Sequence, residues 1–368
     1  MRRTRTRAYN RVSPDGAHHT VSNTFTHLLE TRPVLLADGA TGTNLFAMGL
    51  QSGDAPELWN ATHPERISRH YRAFIDAGSD VVLTNTFGGN RSRLALHKAE
   101  SQVRELNVAA VRLLRHEVED SGRQVAIAGS IGPTGDILEP SGPRTIDEAT
   151  EIFSEQAHAL ADGGADVLWL ETLSSREECI AGVRAAAETT LPIVVTMSFD
   201  TNGRTMMGLT PEDVLALQDE LERKPVAWGG NCGLGASEVV AALLNVRAQN
   251  PSATSAPLVA KANCGIPQYE DGKIVYSGTP ELMARYTELA IDAGARIVGG
   301  CCGTTPDHIR MMRDVINNHT AGAPPSLESV ERELGELTKG TRALNSGAPA
   351  AQPVRTGRRR PARRSAPD

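Results

Sequence analysis

Eight short apolar runs, each followed by a stretch with helical spacing, dominate the middle of the chain. They read VLLADGAT (34–41), DVVLTNTF (80–87), VAIAGSIG (125–132), DVLWLET (166–172), IVVTMSF (193–199), VAWGGNC (226–232), LVAKANCG (258–265) and ARIVGGCCG (295–303). Runs this apolar and this rich in β-branched residues suit strands buried on both faces, as in a parallel sheet. Between them the apolar residues fall at helical spacing: Ile67, Tyr71, Phe74 and Ile75 share a face, as do Ala149, Ile152, Phe153, Ala157 and Leu160. FIDAGSD, LADGGAD and AIDAGAR end helices and enter strands, with Gly78, Gly164 and Gly294 where a left-handed residue is wanted. Eight strand–helix units over about 290 residues predict an α/β protein with a (β/α)8 TIM barrel. A doubly wound open sheet is the competing architecture, and no G-x-G-x-x-G follows a strand to support it.

The barrel is expected over 26–320 as a single domain. Residues 1–25 read as a disordered basic tail, and 321–368, rich in Ala, Pro, Gly and charge, as a second low-complexity tail. A formal net charge of -6 gives no drive toward nucleic acid, and no apolar run is long enough to span a membrane. The basic N-terminus lacks the apolar core of a secretory signal. Five sparse cysteines argue against a disulfide framework and for a reducing cytoplasm.

Barrel chemistry sits at the C-terminal strand ends. Those ends are Asp38-Gly39, Asn85-Thr86-Phe87, Ser130, Glu171-Thr172, Ser198-Phe199, Asn231-Cys232, Asn263-Cys264 and Cys301-Cys302. Four of the five cysteines lie there, while the ten histidines fall on helices, connections or tails. Cys232, Cys301 and Cys302 suit Zn2+, which three thiolates hold at about 2.3 Å with a fourth position open. A regular strand points neighbouring side chains apart, so Gly299, Gly300 and Gly303 are expected to free the backbone for both sulfurs to converge. Cys264 is either a fourth ligand or a nearby free thiol, and Cys179 packs on a helix. Zinc with three thiolates is a poor activator of water but a good holder of a further thiolate, which points to S-alkylation of a substrate thiol. Asp38 and Glu171 face the same mouth and can hold a substrate ammonium; turn capping by Asp38 and an ion pair for Glu171 stay open. Asn231 can bond a sulfur, the substrate or its own backbone.

ADGATGTNL, TNTF, GSIGPTG, the ET after the fourth run, GNCG and GGCCGT together resemble the homocysteine S-methyltransferase family over about residues 32–317. The resemblance implies a (β/α)8 barrel, zinc on Cys232, Cys301 and Cys302, and Asp38 and Glu171 on the homocysteine amino group, with Gly39 beside them. Within the family, LLADGATGTNLFAMGL…APELWN and KANCGIP…YSGTPELM are similar to bacterial members described as betaine–homocysteine methyltransferases. The methyl donor is then a small onium compound, glycine betaine first, with S-methylmethionine or a dimethylsulfonium acid as alternatives. Aromatic faces hold quaternary ammonium groups. Trp59, Phe87, Phe46 and Phe199 are the available faces, while Trp169 and Trp228 share strand parity with Glu171 and Cys232 and should point into the barrel core. Partners are therefore small molecules; a homo-oligomer stays open. Three other readings compete: a Schiff-base aldolase on Lys261, a phosphate-binding barrel using the glycines after the last strand, and a redox sensor built on Cys301 and Cys302.

Overall fold

The structure is a computed structural model that describes residues 23–249, 256–265, 267–270 and 273–347. All eight apolar runs form strands: β1 (Leu35–Leu36), β2 (Val81–Leu83), β3 (Ala126–Ile131), β4 (Val167–Leu173), β5 (Ile193–Met197), β6 (Ala227–Cys232), β7 (Leu258–Ala262) and, last in the barrel, β10 (Ala295–Gly300). They pair in parallel in the order β1-β10-β7-β6-β5-β4-β3-β2. A parallel bridge from Ala37 to Val81 closes the ring. The fold is a (β/α)8 TIM barrel.

Two apolar layers follow from strand alternation. Inward residues, among them Leu35, Ala37, Val81, Ala128, Val167, Trp169, Val194, Ala227, Val259 and Ile297, fill the barrel. Outward residues pack under the surrounding helices with Phe74, Phe153, Leu160 and Tyr286. Caps set the helix ends. Thr145 and Thr210 form capping boxes with Glu148 and Asp213. Gly78 and Gly164 close their helices in the left-handed conformation, and Gly294 also has positive φ.

Three elements were not expected. The helix Thr24–Thr31 sends Phe25 and Leu28 into the inner barrel layer. It plugs the N-terminal end, so the boundary drawn at residue 26 cuts through a structural element. Second, Pro267–Glu270 (β8) and Lys273–Tyr276 (β9) form an antiparallel hairpin after β7. Third, the segment read as a tail from 321 carries the helices Leu327–Leu334 and Lys339–Asn345. Val330, Leu334 and Leu337 bury apolar surface there, and Glu238 of the helix Ala236–Gln249 accepts from Thr338 N at 2.7 Å and from the Thr341 hydroxyl. A few well-placed apolar residues and one buried carboxylate outweigh the disorder-like composition. Residues 1–22 and 348–368, where the rest of both expected tails falls, lie outside the described residues.

Candidate metal and substrate site

The mouth of the barrel departs from regular strand geometry at Cys232, around Glu171 and at the Cys301–Cys302 turn. On β6, Ala227 belongs to the inner layer and Trp228 to the outer one. Trp228 therefore points away from the barrel axis, and the inward orientation expected from its parity with Cys232 is corrected. Strict alternation would send Cys232 outward too. Cys232 instead has φ +61°, a left-handed conformation that costs a non-glycine residue roughly 1–2 kcal/mol. That twist breaks the alternation and brings its sulfur to the mouth.

The glycines near Cys301 act differently from expectation. Only Gly303 has a positive φ, +80°. Gly299 and Gly300 are needed for close approach. A Cβ on Gly299 would lie 2.9 Å from Ala37 Cβ, and one on Gly300 would lie 2.2 Å from Thr304 Cγ2. At Gly303 a Cβ would meet Tyr276 Cγ at 2.4 Å. The strand ends at Gly300, and Cys301 and Cys302 continue in a turn.

Two asparagines brace the cysteines. Asn263 Oδ1 accepts from Cys302 N at 3.0 Å, and its Nδ2 donates to Gly233 O at 2.7 Å. It thus ties the segments after β6 and β10 together. Asn231 accepts from Thr172 N at 2.8 Å, donates to Thr172 Oγ1 at 2.7 Å, and its Nδ2 lies 3.9 Å from Cys301 Sγ. The Sγ atoms of Cys232, Cys301 and Cys302 lie within 4.8 Å of one another. Tetrahedral zinc with 2.3 Å bonds would place sulfurs roughly 3.8 Å apart, so small side-chain rotations would close the set. All three residues are half-buried, which leaves one side open. Cys302 is held down to about 3 by hydrogen bonds from Cys232, Cys301 and Tyr276, and Cys232 is driven well above the usual thiol range by its bonds to the other two sulfurs. Like charges this close disfavour one another, so ionising all three sulfurs needs a cation. The donor set fits zinc.

Cys264 is outside this group. It is buried, its thiol is pushed up to about 11 by burial, and its sulfur packs against Gly278, where a Cβ would meet it at 2.6 Å. Cys179 is buried on its helix, as expected.

Glu171 stands on a bulge. Leu170 pairs with Val195 and Leu173 with Met197, so three steps on β4 match two on β5. Ser130 Oγ donates to Glu171 Oε1 at 2.5 Å. Burial pushes the Glu171 carboxyl up to about 7, with Lys261 pulling it back and Cys301 adding to the rise. Asp38 is buried; its Oδ2 accepts from Leu83 N at 2.8 Å and its Oδ1 lies 3.1 Å from Lys261 Nζ. Burial raises its pKa and Lys261 opposes the rise. Gly39 leaves no room for a side chain: a Cβ would lie 2.6 Å from Thr304 O.

The aromatic residues divide. Trp59 is 6% exposed, with Arg66 4.9 Å over its ring and the His63 ring tilted against it at 4.8 Å. It packs between its own helix and the next, in the outer core layer. Phe87 and Phe46 are exposed on the rim, while Phe199 is buried. Trp169 lies in the barrel interior, as expected. Sequence reasoning missed the roles of Ser130, Asn263 and Tyr276. It also missed Glu57, a buried carboxylate on Gly88 N at 2.6 Å. Ser130 and Asn263 were legible as strand-end residues; Glu57 and Tyr276 lie in the connecting stretches APELWN and YSGTPELM, whose resemblance assigned them no role.

Buried carboxylates beside three converging sulfurs at a barrel mouth define a barrel enzyme with a thiolate centre. The family model for homocysteine S-methyltransferase matches residues 35–316. The chain belongs to the homocysteine S-methyltransferase family, whose reaction is methyl transfer to homocysteine. It is similar to the homocysteine methyltransferase MmuM from Escherichia coli. The metallated crystal form of that protein aligns at 26% identity and TM-score 0.65, over 79% of this chain and 99% of that one. Its apo form aligns at 25% identity and TM-score 0.62, over 80% and 100%. A methyltransferase from Methanosarcina mazei, at 12% identity and TM-score 0.50 over 80% and 98%, shares the fold.

Proposed function

We propose that this enzyme transfers a methyl group from a small onium donor, glycine betaine, to the thiol of L-homocysteine, with Zn2+ held by Cys232, Cys301 and Cys302. The observation that carries this reading is the convergence of those three sulfurs within 4.8 Å of one another. When bound, zinc would lower the pKa of a substrate thiol while leaving its sulfur electron-rich. The protein residues do the rest. Glu171, steadied by Ser130, and Asp38 receive the homocysteine ammonium, with Gly39 giving the backbone room to approach. Asn231 and Asn263 keep Cys301 and Cys302 in place. Phe87 and Phe46 offer faces to the onium group, whereas the Trp59 ring is already covered by Arg66.

In the transfer, the bond from the onium nitrogen to carbon breaks as the sulfur–carbon bond forms. The electron pair stays on nitrogen, and the thiol proton leaves to solvent. Holding both substrates in line and excluding water supplies most of the acceleration. Glycine betaine as donor is supported by the likeness to bacterial betaine enzymes; S-methylmethionine and dimethylsulfonium acids carry the same onium chemistry.

Lys261 does not support the Schiff-base alternative. Burial pushes its ammonium down, but the charges of Asp38, Cys301 and Glu171 hold it above the usual lysine range, so it is a poor nucleophile. A donor panel with homocysteine and purified zinc-loaded protein, scored for methionine, tests the proposal. Betaine should lead; methionine formed from S-methylmethionine alone would reassign the donor, and none from any onium compound would remove the reading. Among the described residues no helix is long and apolar enough to cross a membrane; from the five free cysteines we infer a cytoplasmic enzyme acting on small molecules.

A further inference from the structure

Lys261 is a buried cation at the heart of the mouth that the transfer itself does not use. It lies on β7, 3% exposed. Its Nζ donates to Gly300 O at 2.6 Å and to Gly39 O at 3.3 Å, and lies 3.1 Å from Asp38 Oδ1. An ammonium has three protons, and three oxygens surround this one. Two of those oxygens accept its protons, and the third, Asp38 Oδ1, faces it as an ion partner.

Those oxygens belong to two strand ends. Asp38 and Gly39 follow β1; Gly300 ends β10 and directly precedes Cys301. The surrounding backbone is shaped to the lysine stem: a Cβ on Gly299 would come within 3.2 Å of Lys261 Cγ and 3.1 Å of Asp38 O. Filling this space would need only an apolar side chain. A buried charge is costly unless paired, so the ammonium calls for a role beyond packing. The groups around it are acidic, with Asp38, Cys301 and Glu171 each favouring its charged form.

We propose that Lys261 is a positioning residue for the reaction: it fastens the end of β10, and with it Cys301, to the end of β1, and its charge opposes those of Asp38, Glu171 and the cysteine sulfurs. It touches no reacting atom. It sets the separation between the thiolate centre and the carboxylate that receives the acceptor's ammonium. This inference rests on reading the three sulfurs as the zinc site.

The test is Lys261→Met in the full-length protein, which keeps the stem and removes the ammonium. Zinc affinity is measured by competition with a chromophoric chelator, and KM is measured separately for homocysteine and for the donor. Zinc affinity should fall about tenfold or more, as when a supporting partner of a metal ligand is removed. The homocysteine KM should rise and the donor KM stay unchanged. A folded Lys261→Met protein with the zinc affinity and homocysteine KM of the unmodified enzyme overturns the proposal. Should that variant fail to fold, Lys261→Met with Asp38→Asn removes both charges; weakened zinc binding supports the role, and unmodified zinc affinity sinks it. Failure of the unmodified protein to bind zinc would instead defeat the reading of the centre itself, so the two failures are distinguishable.

Discussion

Glu171 is buried at a cost that a cationic partner would relieve. Its carboxyl is pushed from 4.5 up to about 7, first by burial. The folded state thus holds this proton more tightly than the unfolded state does. The resulting stability is fully present below about pH 4.5 and is lost as pH rises through 7. Glu171→Gln should therefore stabilise the substrate-free protein at pH 8, by on the order of 2–3 kcal/mol, and flatten this part of the pH–stability curve. The same change should raise the homocysteine KM and leave metal content untouched. Denaturant titrations at pH 5 and pH 8, with metal analysis, check both halves. In the unmodified enzyme, homocysteine affinity should weaken as pH falls below 7, because a protonated Glu171 no longer attracts an ammonium; calorimetric titration across pH 6–8 reads this.

At the scale of elements, the strand ends and the helices that brace them carry the site. Gly303 combines a φ of +80° with Tyr276 packed where a Cβ would go. Gly303→Ala should displace the Cys302 turn and cost zinc affinity while leaving the barrel folded, as circular dichroism and metal analysis would show. The C-terminal helices hang on Glu238, 3% exposed, which accepts from both Thr338 and Thr341. Glu238→Ala should destabilise by about 1–3 kcal/mol and speed proteolysis between 326 and 347. The sequence pattern showed the eight strands because each is a short apolar run bounded by a helical period, and the strand-end rule then found every cysteine of the centre. Parity failed at Trp228 because the left-handed turn at Cys232 is invisible in a pattern of alternation. The C-terminal helices were missed because their apolar residues are few and their anchor, Glu238, is distant in sequence. The β8–β9 hairpin was missed for a related reason. Its strands are short, and what fixes Tyr276 is contact with the Gly303 turn.

For the molecule as a whole, the plug at one end and the sulfurs at the other make the barrel one-sided. Phe25 and Leu28 close the N-terminal end, and the carboxylates stand at the opposite end, at the mouth. Exposed Phe46, Phe87, Ile137 and Met206 lie on the segments that follow β1, β2, β3 and β5. The proposed reaction needs both substrates to enter there and the acceptor sulfur to reach the three cysteines. X-ray absorption at the zinc edge, on reduced full-length protein with and without homocysteine, measures this most directly. Three sulfurs at about 2.3 Å should become four when homocysteine is added. A sulfur count that stays the same, or fewer than three sulfurs on the ion at the outset, would contradict it.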